Sequence, residues 1–339
     1  MEGRIEPTIS WDEATGTVRF IDQTLLPGRS VVVTCDSVER LVEGIRRLEV
    51  RGAPALGVAG GMGVALAARR SHAAGRAAFL REVEAAAVAL SGARPTAVNL
   101  SWGVNRVLAK VREAPDPGAA AKAAVREAVL MAEEDLATCM RLGHHGAALI
   151  PDGATVLTHC NAGALACTGW GTALGVVRSA VREGKRVQVI ACETRPLFQG
   201  ARLTAWELTR DGIGVTVIPD GAAASLMRKG RVDLVIVGAD RITRDAVFNK
   251  IGTYMHAVCA RHHGIPLCVA APRSTFDPGS SGAEVIIEER AREELSRCGK
   301  RTLVPEEASV ENPAFDATPL SLVSAIVTED GVLRPPYRF

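Results

Sequence analysis

From Ala154 onward, short runs of apolar, largely β-branched residues recur, with helix-length segments between most of them. The runs are Thr155 to Thr158, Val187 to Ala191, Val215 to Ile218, Leu234 to Val237 and Leu267 to Ala270. Most are continuously apolar rather than alternating, as expected of strands covered on both faces. Strands separated by helices predict βαβ units and a parallel sheet. Ligands of such sheets bind outside the carboxyl ends of the strands. Here those ends carry His159-Cys160-Asn161, Cys192-Glu193-Thr194-Arg195, Pro219-Asp220-Gly221, Ala239-Asp240 and Pro272-Arg273-Ser274. Polar or reactive groups at each of these ends point to one shared cleft.

The stretch Val232 to Gly252 concentrates this chemistry. Its strand stops at Gly238-Ala239-Asp240, which puts a carboxylate where the chain leaves the sheet. Nine residues on, Asn249-Lys250-Ile251-Gly252 reads as the opening of the next helix, with an amide and a cation. Asp240 is either an acid in the cleft or a carboxylate capping the next segment. Cys160 follows a buried strand and precedes the small-residue turn Asn161-Ala162-Gly163-Ala164. It is either a reactive thiol, able to attack or to exchange protons, or a buried small hydrophobe. His159 and the pair His262-His263 read as structural or exposed.

The first half has a different texture. Thr17 to Ile21 and Ser30 to Thr34 read as short strands joined through Leu26-Pro27-Gly28. Asp36 with Glu39 resembles a capping box, and Val38, Leu41, Val42, Ile45 and Leu48 follow at helical spacing. A second helix, Ala53 to Arg69, starts with proline in its first turn and contains Gly57, Gly60, Gly61 and Gly63. At ~1 kcal/mol per helical glycine, that density implies close packing against a neighbour or a ligand. The N–H groups of Gly52, Ala53 and Ala55, with Arg51 beside them, form a ready anion site. Further helices are expected over His72 to Leu90, Asn99 to Val111 and Ala119 to Leu149, with Arg94 on the constrained loop Gly92 to Thr96. A domain boundary is placed near the end of the last helix, giving 1–147 and 148–339.

Forty basic residues against 38 acidic ones, a formal charge of +2, argue against a nucleic-acid or polyanion binder. No stretch reaches the ~18 uninterrupted apolar residues of a membrane span. The opening MEGRIEPTISWD lacks the apolar core of a signal peptide. The 8 cysteines form no C-x-x-C pair. A reduced, cytoplasmic protein is the expectation. Gly169-Trp170-Gly171 imitates a dinucleotide fingerprint, but Leu174 stands where the third glycine belongs, and the glycines begin nine residues past Cys160. Gly61-Met62-Gly63 lies inside a helix. There is no Walker A sequence and no metal-ligand spacing, so no cofactor and no metal are expected.

Several long stretches, in order, resemble the methylthioribose-1-phosphate isomerase family, within the wider initiation factor 2B alpha/beta/delta-like group. They are IDQTLLP at 21–27, RGAPALGVAG at 51–60, RPTAVNLSW at 94–102, THCNAGALACTGWGTALGVVR at 158–178, ETRPLFQGARLTAWEL at 193–208, VGADRITRDAVFNKIGTY at 237–254 and NPAFDATP at 312–319. The resemblance implies an α/β chain: a mainly helical N-terminal domain with a small antiparallel sheet, a Rossmann-like C-terminal catalytic domain, and a homodimer. It implies an aldose–ketose isomerase of methionine salvage, acting on a small sugar phosphate, with Asp240 as catalytic acid and Cys160 as second catalytic residue. Arg51, Gly52, Ala53, Arg94, Gln199, Asn249 and Lys250 resemble the family's substrate-binding set. Cys167 and Trp170 depart mildly from the family pattern, which bears on substrate fit. To stay protonated near neutral pH, Asp240 needs an apolar, desolvated pocket, and Ile236, Val237 and Ala239 beside it are consistent with one. Isomerases of ribose 1,5-bisphosphate or 5-deoxyribose 1-phosphate, and non-catalytic translation-factor subunits, are the alternatives. The last have no need of a Cys160/Asp240 pair.

Overall fold

The computed structural model describes residues 7–95 and 97–339. The first six residues, part of the stretch read for a leader, and Thr96 of the RPTAVNLSW stretch lie outside these. Among the described residues no helix is long and apolar enough to cross a membrane. The chain divides into two units: Met1–Cys139 with Ala164–Gly171, and Met140–Gly163 with Thr172–Phe339.

The first unit opens with a three-stranded antiparallel sheet of β1 (Ile9–Asp12), β2 (Thr17–Ile21) and β3 (Val32–Cys35). Helices α1 (Val38–Arg46), α2 (Ala53–Arg70), α3 (Arg76–Ser91), α4 (Val98–Glu113) and α5 (Pro117–Ala147) follow. The cap of α1 is Ser37, whose hydroxyl accepts from the Arg40 N–H at 3.3 Å, and not Asp36 as the capping-box pattern suggested. Helix α3 begins four residues later than its periodicity predicts, because Gly75, at φ 90°, is its N-cap. The glycines of α2 are packing devices. A Cβ on Gly60 would lie 2.6 Å from the Leu100 carbonyl oxygen, so α4 packs backbone-close against α2. The buried core holds Leu41, Leu56, Met62, Leu66, Leu90 and Leu100.

The second unit carries the sheet that the apolar runs predicted. Its strands are β4 (Thr155–Thr158), β5 (Gln188–Cys192), β6 (Gly214–Ile218) and β7 (Leu234–Val237). Helix α6 (Ala173–Arg182) joins the first pair, α7 (Ala205–Arg210) the second, and α8 (Ala223–Arg228) leads into β7. A hairpin, β8 (Arg241–Thr243) and β9 (Ala246–Lys250), comes next, followed by α9 (Thr253–His262) and β10 (Leu267–Ala270). After these come β11 (Phe276–Asp277), α10 (Arg292–Ser296), β12 (Arg297–Cys298), β13 (Arg301–Thr302), β14 (Phe315–Pro319), β15 (Ala325–Thr328) and β16 (Gly331–Leu333).

The main sheet has order β16-β15-β10-β7-β4-β5-β6, parallel except for β16. All four side chains of β7 are at most 3% exposed, each contributing about 1.5–3 kcal/mol of burial. A smaller sheet, β11-β8-β9-β14, takes up the hairpin. This corrects the reading of Asn249-Lys250 as a helix start. Ala246 to Lys250 pair with Phe315 to Pro319, so both residues end a strand, and the helix waits until after Gly252.

Candidate functional site

Strand order decides where a site belongs in the second unit. From β4 the chain steps outward through β5 and β6, then returns to β7 on the other flank of β4. Connections leave β4 and β7 in opposite directions, so a crevice opens outside their carboxyl ends. Register pairs Val156 with Leu234 and Leu157 with Val235. Cys160 is thus three residues past the paired Leu157, and Asp240 five past the paired Val235, at the ends of neighbouring parallel strands.

The Cys160 turn is held by its backbone. Cys160 has φ 65°, a left-handed conformation costing a non-glycine residue about 1–3 kcal/mol. Two threonines hold it there: its N–H donates to Thr194 Oγ1 at 2.9 Å, and its carbonyl accepts from Thr204 Oγ1 at 2.7 Å. Thr194 is itself left-handed at φ 65°, and its N–H and that of Arg195 donate to the two oxygens of Asp220, each at 2.8 Å. On the far side, Asn161 Nδ2 donates to Glu207 Oε1 at 2.9 Å, and Glu207 is bridged at 2.8 Å to Arg178, both buried. The Cys160 side chain is half-buried between buried His159 and buried Asn161.

Behind this turn lies a cluster that residue spacing did not reveal. His159 Nε2 meets the Ile251 carbonyl at 2.8 Å, and His159 Nδ1 lies 3.2 Å from His256 Nε2 and 3.8 Å from Asp220 Oδ1. Burial holds both imidazoles neutral, lowering His159 to about 4 and His256 to about 3. Cys192 is fully buried, which pushes its thiol far up. Metal-capable side chains converge here, as His159, Cys192, Asp220 and His256, and in the first unit as Asp135, Cys139 and Cys167.

Asp240 differs from expectation. Ile236 and Val237 are buried, but the Asp240 side chain is exposed. Its N–H donates to the Phe248 carbonyl at 2.8 Å, so the residue heads the β8–β9 hairpin, past the buried end of β7. The desolvated pocket inferred from those neighbours is not present around Asp240 in the chain alone.

Asn249 is buried and donates from Nδ2 to Thr253 Oγ1 at 3.0 Å. Lys250 Nζ sits 4.7 Å from the centroid of the Phe315 ring. Asp316, overlooked in the sequence, accepts from the N–H groups of Gly252 and Tyr254 at 2.7 and 3.1 Å. Burial lifts its carboxyl to about 6 against the pull of those N–H groups and of Lys250. Gln199 is buried just before the π-helical turn Gly200–Thr204, and its Oε1 has no hydrogen-bond partner among the described residues.

The remaining expected site residues belong to the first unit. Arg51 Nε donates to Gln23 Oε1 at 3.0 Å, and Gln23 Nε2 to the Leu165 carbonyl at 2.8 Å, so buried Gln23 orients the arginine. Gln23 lies in the IDQTLLP stretch, and only its place in that stretch hinted at a role. Gly52 is the N-cap of α2 at φ 95°, and a Cβ there would lie 2.5 Å from Ala166 backbone atoms. Only glycine fits. Ala53 opens the helix, where unpaired N–H groups favour an anion. Arg94 is half-buried in the turn after α3, and its carbonyl accepts from the Ala97 N–H at 3.0 Å.

The profile of the initiation factor 2 subunit family matches residues 49–335. A methylthioribose-1-phosphate isomerase of Pelotomaculum thermopropionicum is 50% identical, over 97% of this chain and 92% of its own. A 5-deoxyribose 1-phosphate isomerase of Moorella thermoacetica is 51% identical, over 97% and 95%. The crystal structure of 5-methylthioribose 1-phosphate isomerase from Pyrococcus horikoshii superposes with a TM-score of 0.92 at 43% identity, covering 98% of this chain and 94% of that one. A structure from A. fulgidus described as translation initiation factor eIF-2B, subunit delta, gives 0.90 at 53%, covering 98% and 96%.

Proposed function

The chain belongs to the initiation factor 2 subunit family, and from that premise we propose that it isomerises 5-methylthioribose 1-phosphate to 5-methylthioribulose 1-phosphate. The observation that carries the chemistry is the placement of Cys160 and Asp240 at the β4/β7 switch point. A subunit that only bound other proteins would need neither residue there.

The reaction poses a specific difficulty. The anomeric oxygen is esterified to phosphate, so the ring cannot open by losing a proton from it. Asp240 gives a proton to the ring oxygen as that oxygen's bond to C1 breaks. The C2 hydrogen then reaches C1 by one of two routes. In a relay, Cys160 takes it as a proton and returns it to C1; in a shift, it moves with its electron pair. Loss of the C2 hydroxyl proton completes the ketone, and proton balance returns through Asp240. Because Asp240 is exposed in the chain alone, bound substrate must itself cover the carboxyl and exclude water from it. Of the proposed substrate-binding residues, Arg51, the Gly52 and Ala53 N–H groups, Arg94 and Lys250 have the charge and donors that suit a phosphate, and Gln199 and Asn249 the amides that suit a sugar.

We also assign a homodimer to this reading. Tyr254, Met255 and Val258 are 46%, 42% and 43% exposed on α9, an apolar face suited to a second copy. A relative named for 5-deoxyribose 1-phosphate, at 51% identity, favours one second reading, in which a methyl replaces the methylthiomethyl group. Comparing kcat/KM for 5-methylthioribose 1-phosphate, 5-deoxyribose 1-phosphate and ribose 1,5-bisphosphate tests both. The methylthio sugar should be preferred, and a preference for the bisphosphate would overturn the assignment.

A further inference from the structure

We propose that His159, Cys192, Asp220 and His256 form a four-ligand site for one divalent cation of the zinc class. A ring nitrogen from each histidine, the Cys192 sulfur and an Asp220 oxygen all lie within 4.8 Å of one another. Ligand bonds of about 2.0–2.3 Å in a tetrahedron leave neighbouring ligand atoms roughly 3.3–3.8 Å apart. The separations of His159 Nδ1 from His256 Nε2, 3.2 Å, and from Asp220 Oδ1, 3.8 Å, bracket that range. Two imidazoles and a thiolate select zinc or cobalt over magnesium or calcium.

The hydrogen bonding of His159 has the form such a site requires. His159 Nε2 faces a carbonyl, so it carries the proton, and Nδ1 is left as a lone pair. An outer hydrogen bond of this kind orients most metal-bound histidines. That lone pair, the Asp220 carboxylate and the Cys192 sulfur are all electron-rich, and they converge in a largely buried space. Asp220 already accepts the N–H groups of Thr194 and Arg195, and the Cys192 thiol keeps its proton until an ion displaces it. His256 is fully buried and turns Nε2 toward His159 Nδ1, so that nitrogen faces the same space; ligation there moves its proton to Nδ1, which has no hydrogen-bond partner among the described residues. Asp220, 21% exposed, provides a way in for an ion.

Four protein ligands leave no open coordination position, which makes the ion structural rather than catalytic. The ligands come from the carboxyl ends of β4, β5 and β6 and the first turn of α9. The ion would therefore fasten together the turns bearing Cys160, Thr194 and Asp220. Their positions, 159, 192, 220 and 256, make no sequence motif, which is why spacing gave no sign of them.

The test uses the full chain, stripped with a chelator and titrated with Co2+. It should bind about one ion in a tetrahedral site, seen as visible d–d bands with a near-ultraviolet thiolate-to-cobalt band. Cys192→Ser should abolish the thiolate band, and His256→Gln should weaken binding at least ~10-fold, as loss of a ligand requires. Cys160→Ser should leave both unchanged, which separates this site from the isomerase reading. Absence of the thiolate band from the wild type, or its survival in Cys192→Ser, overturns the proposal. Should either variant fail to fold, X-ray absorption of the zinc-loaded wild type decides. One sulfur at about 2.3 Å is expected, and a first shell without sulfur refutes the site.

Discussion

Cys160 and Asp240 end neighbouring strands of one sheet, yet their turns are built on different principles. The Cys160 turn is braced: a left-handed residue is held by Thr194 and Thr204, with buried His159 and Asn161 on either side. Asp240 is an exposed residue at the head of a hairpin, its N–H donating to the Phe248 carbonyl. The contrast suits the two roles proposed for them. A group that must approach C1 and C2 in fixed geometry gains from a rigid mount. A group that must hand over a proton gains from an environment that substrate completes, because water is then excluded only when catalysis needs it.

The largest effect that sharpens this contrast is at Cys160 itself. Cys160→Ser should fold as the wild type and lower kcat by about 10²–10⁴-fold, the range for a positioned proton-transfer group. If C2 deuterium from labelled substrate is fully retained at C1 in the wild type, the relay is excluded and Cys160 serves a hydride shift instead. Next comes Lys250→Ala, on the hairpin that Asp240 heads. If Lys250 holds the phosphate as proposed, losing that charge-assisted contact, about 1.5–3 kcal/mol, should raise KM by roughly 10–150-fold with a smaller change in kcat. Thr194→Val tests the brace. It leaves the Cys160 N–H without its acceptor, costing about 1–3 kcal/mol of stability in urea unfolding, and should lower kcat more than it raises KM. Thr194→Ser should restore both. An unchanged kcat in Thr194→Val would show that the mount is incidental.

A smaller effect follows from pH. His159 and His256 stay neutral in the folded chain down to about 4 and 3, against an ordinary value of 6.5. Below 6.5 the unfolded chain takes up protons that the folded chain refuses. Stability from this pair is therefore complete above pH 6.5 and declines as pH falls toward 4. Asp316, raised to about 6 from 3.8, works oppositely: its contribution is present below 3.8 and lost as pH rises through 6. In chelator-stripped protein, melting temperature against pH should fall on the acid side, less steeply in a His256→Leu variant.

These contrasts also show what the residues disclosed in advance. Buried strands such as Leu234 to Val237 were legible because a continuous apolar run has few other uses, and the polar groups after them marked the switch-point residues. The hairpin was not legible. Ala246-Val247-Phe248 is too short to tell strand from helix, and its partner Phe315 to Pro319 lies far along the chain. The environment of Asp240 was misjudged because Ile236 and Val237 point into the sheet's faces, whereas the acid has already left the sheet. The histidine pair was invisible because its members, 97 residues apart, meet only through the fold.

The central claim is that Asp240 supplies the proton that opens the ring. It is tested most directly by Asp240→Asn, with conversion of 5-methylthioribose 1-phosphate followed by NMR and binding followed by calorimetry. An asparagine keeps the shape of the side chain but holds no transferable acid. The account predicts unchanged folding, substrate affinity within a few-fold of wild type and kcat reduced by about 10²–10⁴-fold. Turnover at the wild-type rate in that variant would contradict it.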